Sequence, residues 1–266
     1  MTRILHLSDI HFGAVDARLV EPVLALAHDL RPDATVVSGD LTQRARASQF
    51  AAARAFLGQL PGPVLCVPGN HDMPLHNLAL RLAAPFARYR AAMGPELEPT
   101  VTLPGAVLQG VNTADPLVWK AGRLRPASAQ RLAHSFAAAP PGTIRIAVMH
   151  HAPVPAADGT PADMAAPAAA LVALAAAGAD VVLSGHTHMP HGGFAETAAG
   201  VLFLQVGTAI STRRKTSAND LALVTLGHGE VTVESWLSTP GSAGFAPGPI
   251  ARYARPDAAW KRLTPP

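Results

Sequence analysis

Seven short apolar runs punctuate the first three quarters of the chain: RILHLS (3–8), ATVVS (34–38), PVLCV (63–67), AVLQGV (106–111), IRIAVM (144–149), DVVLS (180–184) and VLFLQV (201–206). Each is rich in Val, Ile and Leu and bounded by Gly, Pro, Asn or Asp, the signature of a strand. Between several of them lie segments with apolar residues at helical spacing, at 17–30, 48–60, 128–139 and 165–177. Strands alternating with helices bury their apolar faces as a sheet layered with helices, so the chain reads as α/β. After residue 200 the runs 201–206, 219–226 and 230–237 follow one another without helices and predict antiparallel pairs closing one side of the fold. Residues 73–100 read as a helical insertion, and the Pro-, Gly- and Ala-rich segment beyond 240 as an irregular tail. The organisation expected is one domain over 1–240 and a surface tail over 241–266.

With 266 residues, 49% hydrophobic and only 15% charged, the chain can bury a sizeable core and is not a disordered protein. A net charge of +3 argues only weakly for a nucleic-acid partner. The single cysteine, Cys66 within PVLCV, excludes an internal disulfide framework and fits a reducing compartment. The start, MTRILHLSD, enters an apolar run at once with no charged leader, and no run reaches the ~18 residues of a membrane span. A soluble cytoplasmic enzyme is the expectation.

The residues that follow the runs carry the chemistry. Asp9 and His11 follow the first (DIHFG), Asp40 the second (GDLT), and Asn70, His71 and Asp72 the third (PGNHD). His150 and His151 follow the fifth (HHAP), and His186 and His188 the sixth (GHTH). In open α/β sheets, ligands bind just beyond the carboxyl ends of the strands. Residues two apart in extended backbone point the same way, so Asp9 with His11, and His186 with His188, can each reach one ion cluster. His150 and His151 are adjacent and point oppositely, which leaves one of them as a ligand. Six of the twelve histidines fall in these motifs; His6, His28, His76, His134, His191 and His228 are scattered and read as ordinary surface or core residues. One such motif alone is what strand ends often carry. Five in order point to a metal site.

The ordered set D-x-H, G-D, G-N-H-D, H-H and G-H-x-H, spanning residues 9–188, resembles the calcineurin-like metallophosphoesterases. Within them it is most similar to the bacterial class III cyclic-nucleotide phosphodiesterase-like branch, and GTAISTRRK (207–215) resembles a following segment there. HHAP departs from the HHPP common among related enzymes, a change without consequence for ligation. The resemblance implies a four-layer αββα sandwich of two mixed sheets flanked by helices, with a di-metal site at the carboxyl ends of the strands. It implies one ion held by Asp9, His11, Asp40 and His188, and another by Asp40, Asn70, His150 and His186, with Asp40 bridging. In the family pattern His71 does not bind metal but stands over the phosphate, stabilising the transition state or protonating the leaving oxygen. Asp72 reads as a hydrogen-bonding support.

Two divalent ions would offset the repulsion between an anionic phosphodiester and hydroxide, and lower the pKa of bound water towards roughly 7. Mixed nitrogen and oxygen ligands without thiolate suit Mn, Fe, Zn or Co alike. The function expected is a binuclear metal-dependent phosphodiesterase acting on a small diester such as a cyclic nucleotide. The alternatives are a phosphomonoesterase or nucleotide phosphatase, a nuclease of the same fold, and an inactive scaffold. Arg213 and Arg214, in STRRK, are candidates for substrate binding, as are the loop 111–123 and the insertion 73–100. A small phosphate-ester substrate is the expected partner; self-association is left open. An amidohydrolase barrel places His-x-His on its first strand, whereas here it comes last, which excludes that fold.

Overall fold

The protein is described by a computed structural model over residues 1–227, 229–242 and 244–263. His228 and the last three residues of the expected tail lie outside the described residues. The strands are β1 (Thr2–Leu7), β2 (Ala34–Val37), β3 (Val64–Cys66), β4 (Thr100–Leu103), β5 (Ala106–Val111), β6 (Gly122–Arg123), β7 (Ile144–Met149) and β8 (Met164–Ala165). They continue with β9 (Val181–Ser184), β10 (His191–Gly193), β11 (Leu202–Gln205), β12 (Asn219–Leu226), β13 (Glu230–Ser238), β14 (Ala246–Ala254) and β15 (Lys261–Arg262). The helices are α1 (Val20–Leu30), α2 (Ala47–Leu57), α3 (Leu78–Ala83), α4 (Ala87–Met93), α5 (Pro126–Ala137) and α6 (Pro167–Ala176).

Two mixed sheets result, ordered β15-β14-β13-β12-β1-β2-β3 and β10-β11-β9-β7-β5-β4, with β6 and β8 forming a small separate ribbon. Strand alternation sorts the side chains into layers. Ile4, Val36 and Leu65 of the first sheet meet Leu108, Ile146 and Val181 of the second in a core between the sheets. Leu5, Leu7 and Val37 face the other way, against Val23 and Leu24 of α1 and Phe50 and Phe56 of α2. On the outer face of the second sheet, Ala147, Met149 and Val182 pack against Leu132 and Phe136 of α5 and Leu171 and Leu174 of α6. Both faces of the central strands are covered, which is why those strands read as unbroken apolar runs. The architecture is the four-layer sandwich that the resemblance implies.

Two sequence readings need correction. The segment 201–206 does not pair with 219–226: β11 runs parallel to β9 in the second sheet, while β12 lies antiparallel to β1 in the first. The chain therefore crosses from one sheet to the other over 206–218, past the strand ends. The segment beyond 240 is not irregular throughout, because β14 pairs along β13 and β15 along β14. Its APGPIARYA sequence hides the strand. Pro247 and Pro249 each lack an N–H, and the register shifts between Glu234 and Trp236, so a bulge near Gly248–Pro249 takes up the irregularity. The strand β4 was also not read from the sequence.

Candidate metal centre

The first three parallel strands, β1, β2 and β3, end at the same edge and release their motifs side by side. Tight main-chain bonds interlock them, with Asp9 N donating to the Gly39 carbonyl (3.2 Å) and His11 N to that of Asp40 (2.9 Å). The strands β7 and β9 deliver His150, His186 and His188 from the second sheet to the same place.

The pairs two residues apart converge for a different reason than the sequence suggested. Asp9, His11, Asp40, His186 and His188 have φ of 51°, 54°, 50°, 72° and 57°, so they sit in the left-handed region rather than in extended backbone. They make up five of the eight described non-glycine residues with positive φ. Such strain persists only where its surroundings over-determine it, and it concentrates at functional sites. Gly39 is required in the same turn: its φ is +98°, and a Cβ there would lie 2.5 Å from His150 Nδ1.

Asp9, His11, Asp40 and His150 are almost wholly buried. Asp9 Oδ2 accepts from Ser8 Oγ (2.7 Å) and from His186 N (2.9 Å). Its Oδ1 is left facing His188 Nε2 at 3.0 Å and His11 Nε2 at 3.6 Å. Asp40 Oδ1 accepts from His71 N (2.9 Å), while its Oδ2 lies 3.6 Å from His11 Nε2 and 3.4 Å from His150 Nε2. Asp40 thus stands between the two expected ligand sets. Asn70 is buried and its Oδ1 has no hydrogen-bond partner among the described residues, a donor oxygen suited to a cation.

The outer atoms of the histidines decide which nitrogen is free. His150 Nδ1 donates to the Ser38 carbonyl (2.8 Å), His188 Nδ1 to the Arg213 carbonyl (2.7 Å), and His186 Nε2 to Asp163 Oδ2 (3.0 Å). In each neutral ring the opposite nitrogen then carries a lone pair. His150 Nε2 and His186 Nδ1 face each other at 3.3 Å, and His11 Nε2 and His188 Nε2 at 3.2 Å. In the His150–His186 pair both tautomers are fixed, and the two facing lone pairs repel unless a positive charge is shared between them. Burial opposes charging His150, but Asp40 and Asp9 outweigh it and push its pKa up to about 9. His188 is raised by Asp9 against the same opposition. Divalent cations fit this donor set of carboxylate, imidazole and amide groups, and Asp9–His11–His188 and Asp9–Asp40–His150 each bring three ligand atoms within 4.8 Å.

His151 is a different case. It also lies close to His150 and His186. Its Nε2, however, donates to the Lys120 carbonyl (2.8 Å) and its Nδ1 accepts from Thr113 Oγ1 (2.8 Å), so no lone pair is left for metal. Burial, with His186 and His150 nearby, holds its pKa well below the usual range. Asp72 accepts from Leu41 N, Gly69 N, Thr42 N and Thr42 Oγ1 at 2.9–3.1 Å and ties two of the loops together.

His71 stands half-buried at the mouth, its ring edge-on to His11 at 4.9 Å between centroids. Its Nδ1 donates to the Gln43 carbonyl (3.0 Å), leaving Nε2 to accept from Arg213 Nη1 (3.0 Å). Arg213 also reaches Gln43 Oε1 (3.2 Å), and Arg44 Nη1 approaches the His71 ring at 3.4 Å. Burial lowers the His71 pKa, so the ring is neutral at neutral pH. Arg213 thus lies at the site through both its carbonyl and its guanidinium. Arg214 does not share that position: its charge acts on Asp16, whose carboxyl is held down chiefly by Arg18.

Sequence reasoning missed Asp163 and Gln43. Gln43 stands three residues after Asp40 and could have been found there. Asp163 lies in a Pro- and Ala-rich loop before α6 with no motif around it. It reaches His186 because the β6–β8 ribbon clamps that loop to the segment carrying Lys120, whose ammonium bonds the same carboxylate.

The calcineurin-like phosphoesterase family model matches residues 2–190. A cAMP/cGMP dual specificity phosphodiesterase of Mycobacterium tuberculosis is 30% identical over 203 residues, covering 70% of this chain and 61% of that protein. A glycerophosphodiester phosphodiesterase of Enterobacter lignolyticus is 38% identical over 78 residues, covering 25% of this chain and 28% of that protein. The matches thus span less than two thirds of either relative. A dimetal phosphatase from Danio rerio shares the fold, with a TM-score of 0.63 at 13% identity over 88% of this chain and 95% of that one. Among the described residues no helix is long and apolar enough to cross a membrane. With its ligand-type residues gathered at one sheet edge and the family model covering well over half its length, this chain belongs to the calcineurin-like phosphoesterases.

Proposed function

We propose that this phosphoesterase is a binuclear metal-dependent phosphodiesterase acting on a small diester, with cyclic nucleotides the first candidates. Asp9, His11, Asp40 and His188 would hold one ion, and Asp40, Asn70, His150 and His186 the other. The observation that carries this reading is two pairs of facing imidazole nitrogens, His11 with His188 and His150 with His186, on either side of Asp40, whose Oδ2 lies within 3.6 Å of one nitrogen of each pair. Bound there, divalent ions supply positive charge for the phosphate and an activated water. The choice of a diester rests on the two curated relatives, both named as phosphodiesterases. Cys66, a free thiol, fits the reducing cytoplasm expected for such an enzyme.

The chain's own residues do the rest. Arg213, exposed and held by His71 Nε2, offers a guanidinium to an incoming phosphate oxygen. Once a phosphate takes that guanidinium, His71 Nε2 is released towards the substrate. Its neutral ring takes a proton from solvent at that atom and, as the imidazolium, hands that proton to the leaving oxygen. Gln43 fixes the ring through Nδ1 throughout.

The test compares bis(p-nitrophenyl) phosphate with p-nitrophenyl phosphate on metal-stripped protein, with Mn²⁺ restored. Metal-dependent turnover favouring the diester is expected. A preference for the monoester would make the protein a phosphatase, and no turnover with any added metal would point to a scaffold.

A further inference from the structure

His186 is anchored unlike the other two candidate ligand histidines whose tautomers are fixed. His150 and His188 lean on neutral main-chain carbonyls and present Nε2. His186 presents Nδ1 instead, because its Nε2–H is taken by the Asp163 carboxylate at 3.0 Å. That carboxylate does not arrive by the local chain. Residues 122–123 and 164–165 pair as a ribbon, and Gly122 N donates to the Asp163 carbonyl at 2.9 Å. The ribbon is fastened to the site at its other end, where His151 Nε2 grips the Lys120 carbonyl at 2.8 Å. Lys120 in turn closes an ion pair on Asp163 Oδ2, the oxygen that His186 uses.

A carboxylate on the outer nitrogen of a ligating imidazole fixes its tautomer and ring plane and makes the inner nitrogen a stronger donor, an effect of about 10–100-fold in metal affinity. A neutral carbonyl does the first of these but less of the second. We infer that Asp163 is a positioning residue for the ion on the His150–His186 side, setting how tightly that ion alone is retained. This rests on the binuclear reading above. It also gives His151 a purpose that needs no metal contact: it anchors the ribbon that carries Asp163. Lys120, whose side chain is 67% exposed, leaves this anchor open to solvent on one side. The anchors of His150 and His188 are instead the main-chain carbonyls of Ser38 and Arg213.

The test is a Mn²⁺ titration of the metal-stripped full chain by calorimetry and electron paramagnetic resonance, for wild type, Asp163→Ala and Asp163→Asn. Wild type should take two ions and show an exchange-coupled pair. Asp163→Ala should bind the first ion as wild type does and the second about 10–100-fold more weakly, losing the coupled signal at concentrations that saturate wild type. Asp163→Asn keeps an acceptor but not the charge and should fall between them. Unchanged affinity for both ions in Asp163→Ala would overturn the inference. So would equal weakening of both ions accompanied by a lower melting temperature of the ion-free protein, which is what mere support of the fold predicts. If wild type itself takes fewer than two ions, the binuclear reading fails instead.

Discussion

The two sheets contribute to the candidate metal centre in different ways. The half from the first sheet, with Asp9, His11, Asp40 and Asn70, is buried and locked by short loops whose main chains bond directly to one another. The half from the second sheet is held at a distance: His186 by Asp163 from the loop before α6, and His188 by the carbonyl of Arg213 on the crossing loop. His186 is itself partly exposed. One half is fixed by local backbone geometry, the other by long-range props. Such an arrangement should lose function abruptly when the first half is altered and by degrees when the second is.

The sharpest contrast lies between the proposed shared ligand and a proposed ligand held by a prop. Asp40→Ala removes the carboxylate that faces both histidine sets. It should abolish uptake of both ions and lower turnover by about 10³-fold or more, well beyond the effect of losing one supporting bond. His186→Ala should keep one ion near wild-type affinity. Metal content after dialysis, measured by mass spectrometry, decides this, and one ion retained in Asp40→Ala would remove Asp40 from the shared position.

A middle-sized effect separates chemistry from support at the mouth. His71→Ala should lower kcat by about 10²-fold or more with metal content unchanged, the size of a lost general acid–base. Arg213→Ala should act mainly on KM, by about tenfold, the scale of one charge-assisted hydrogen bond. Arg214→Ala should leave both parameters within about twofold, since surface changes away from such contacts cost little. Equal losses in the two arginine variants would contradict the distinct placements of their side chains.

The smallest effect concerns the foot of the crossing loop. Asp220 is 3% exposed and accepts from Gly207 N at 2.7 Å, and burial pushes its carboxyl up to about 7. The folded protein therefore keeps this proton up to about pH 7, whereas the unfolded chain releases it near pH 4. Stability from this group is fully present below about pH 4 and is lost as pH rises through 7. Asp220→Asn cannot ionise. In urea melts of the ion-free protein it should gain on wild type between pH 5 and pH 8, by on the order of 2 kcal/mol. A constant difference across that range would mean that Asp220 is ionised in both states.

The legible parts of the molecule are those encoded by neighbours in sequence. The apolar runs that became β1, β2, β5, β7 and β9 were readable because both their faces are covered, which leaves no polar alternation to confuse them. The motif residues were readable because each follows its strand directly. By contrast, β14 was hidden by two prolines, which only a bulge opposite Glu234–Trp236 accommodates. The split between β11 and β12 was hidden because a strand's sequence does not name its partner.

By itself, the sequence determined the α/β layering and that Asp, His and Asn residues stand at successive strand ends, since hydrophobic period and residue chemistry are properties of the chain taken locally. Only the tertiary structure decided which nitrogen of His150, His186 and His188 is free, that His151 is already satisfied, and that Arg213 but not Arg214 meets His71. It also brought Asp163 to His186 from 23 residues away. Those choices are hydrogen bonds between segments far apart in the chain. Their partners are set by how two sheets and a crossing loop pack, which no local pattern records.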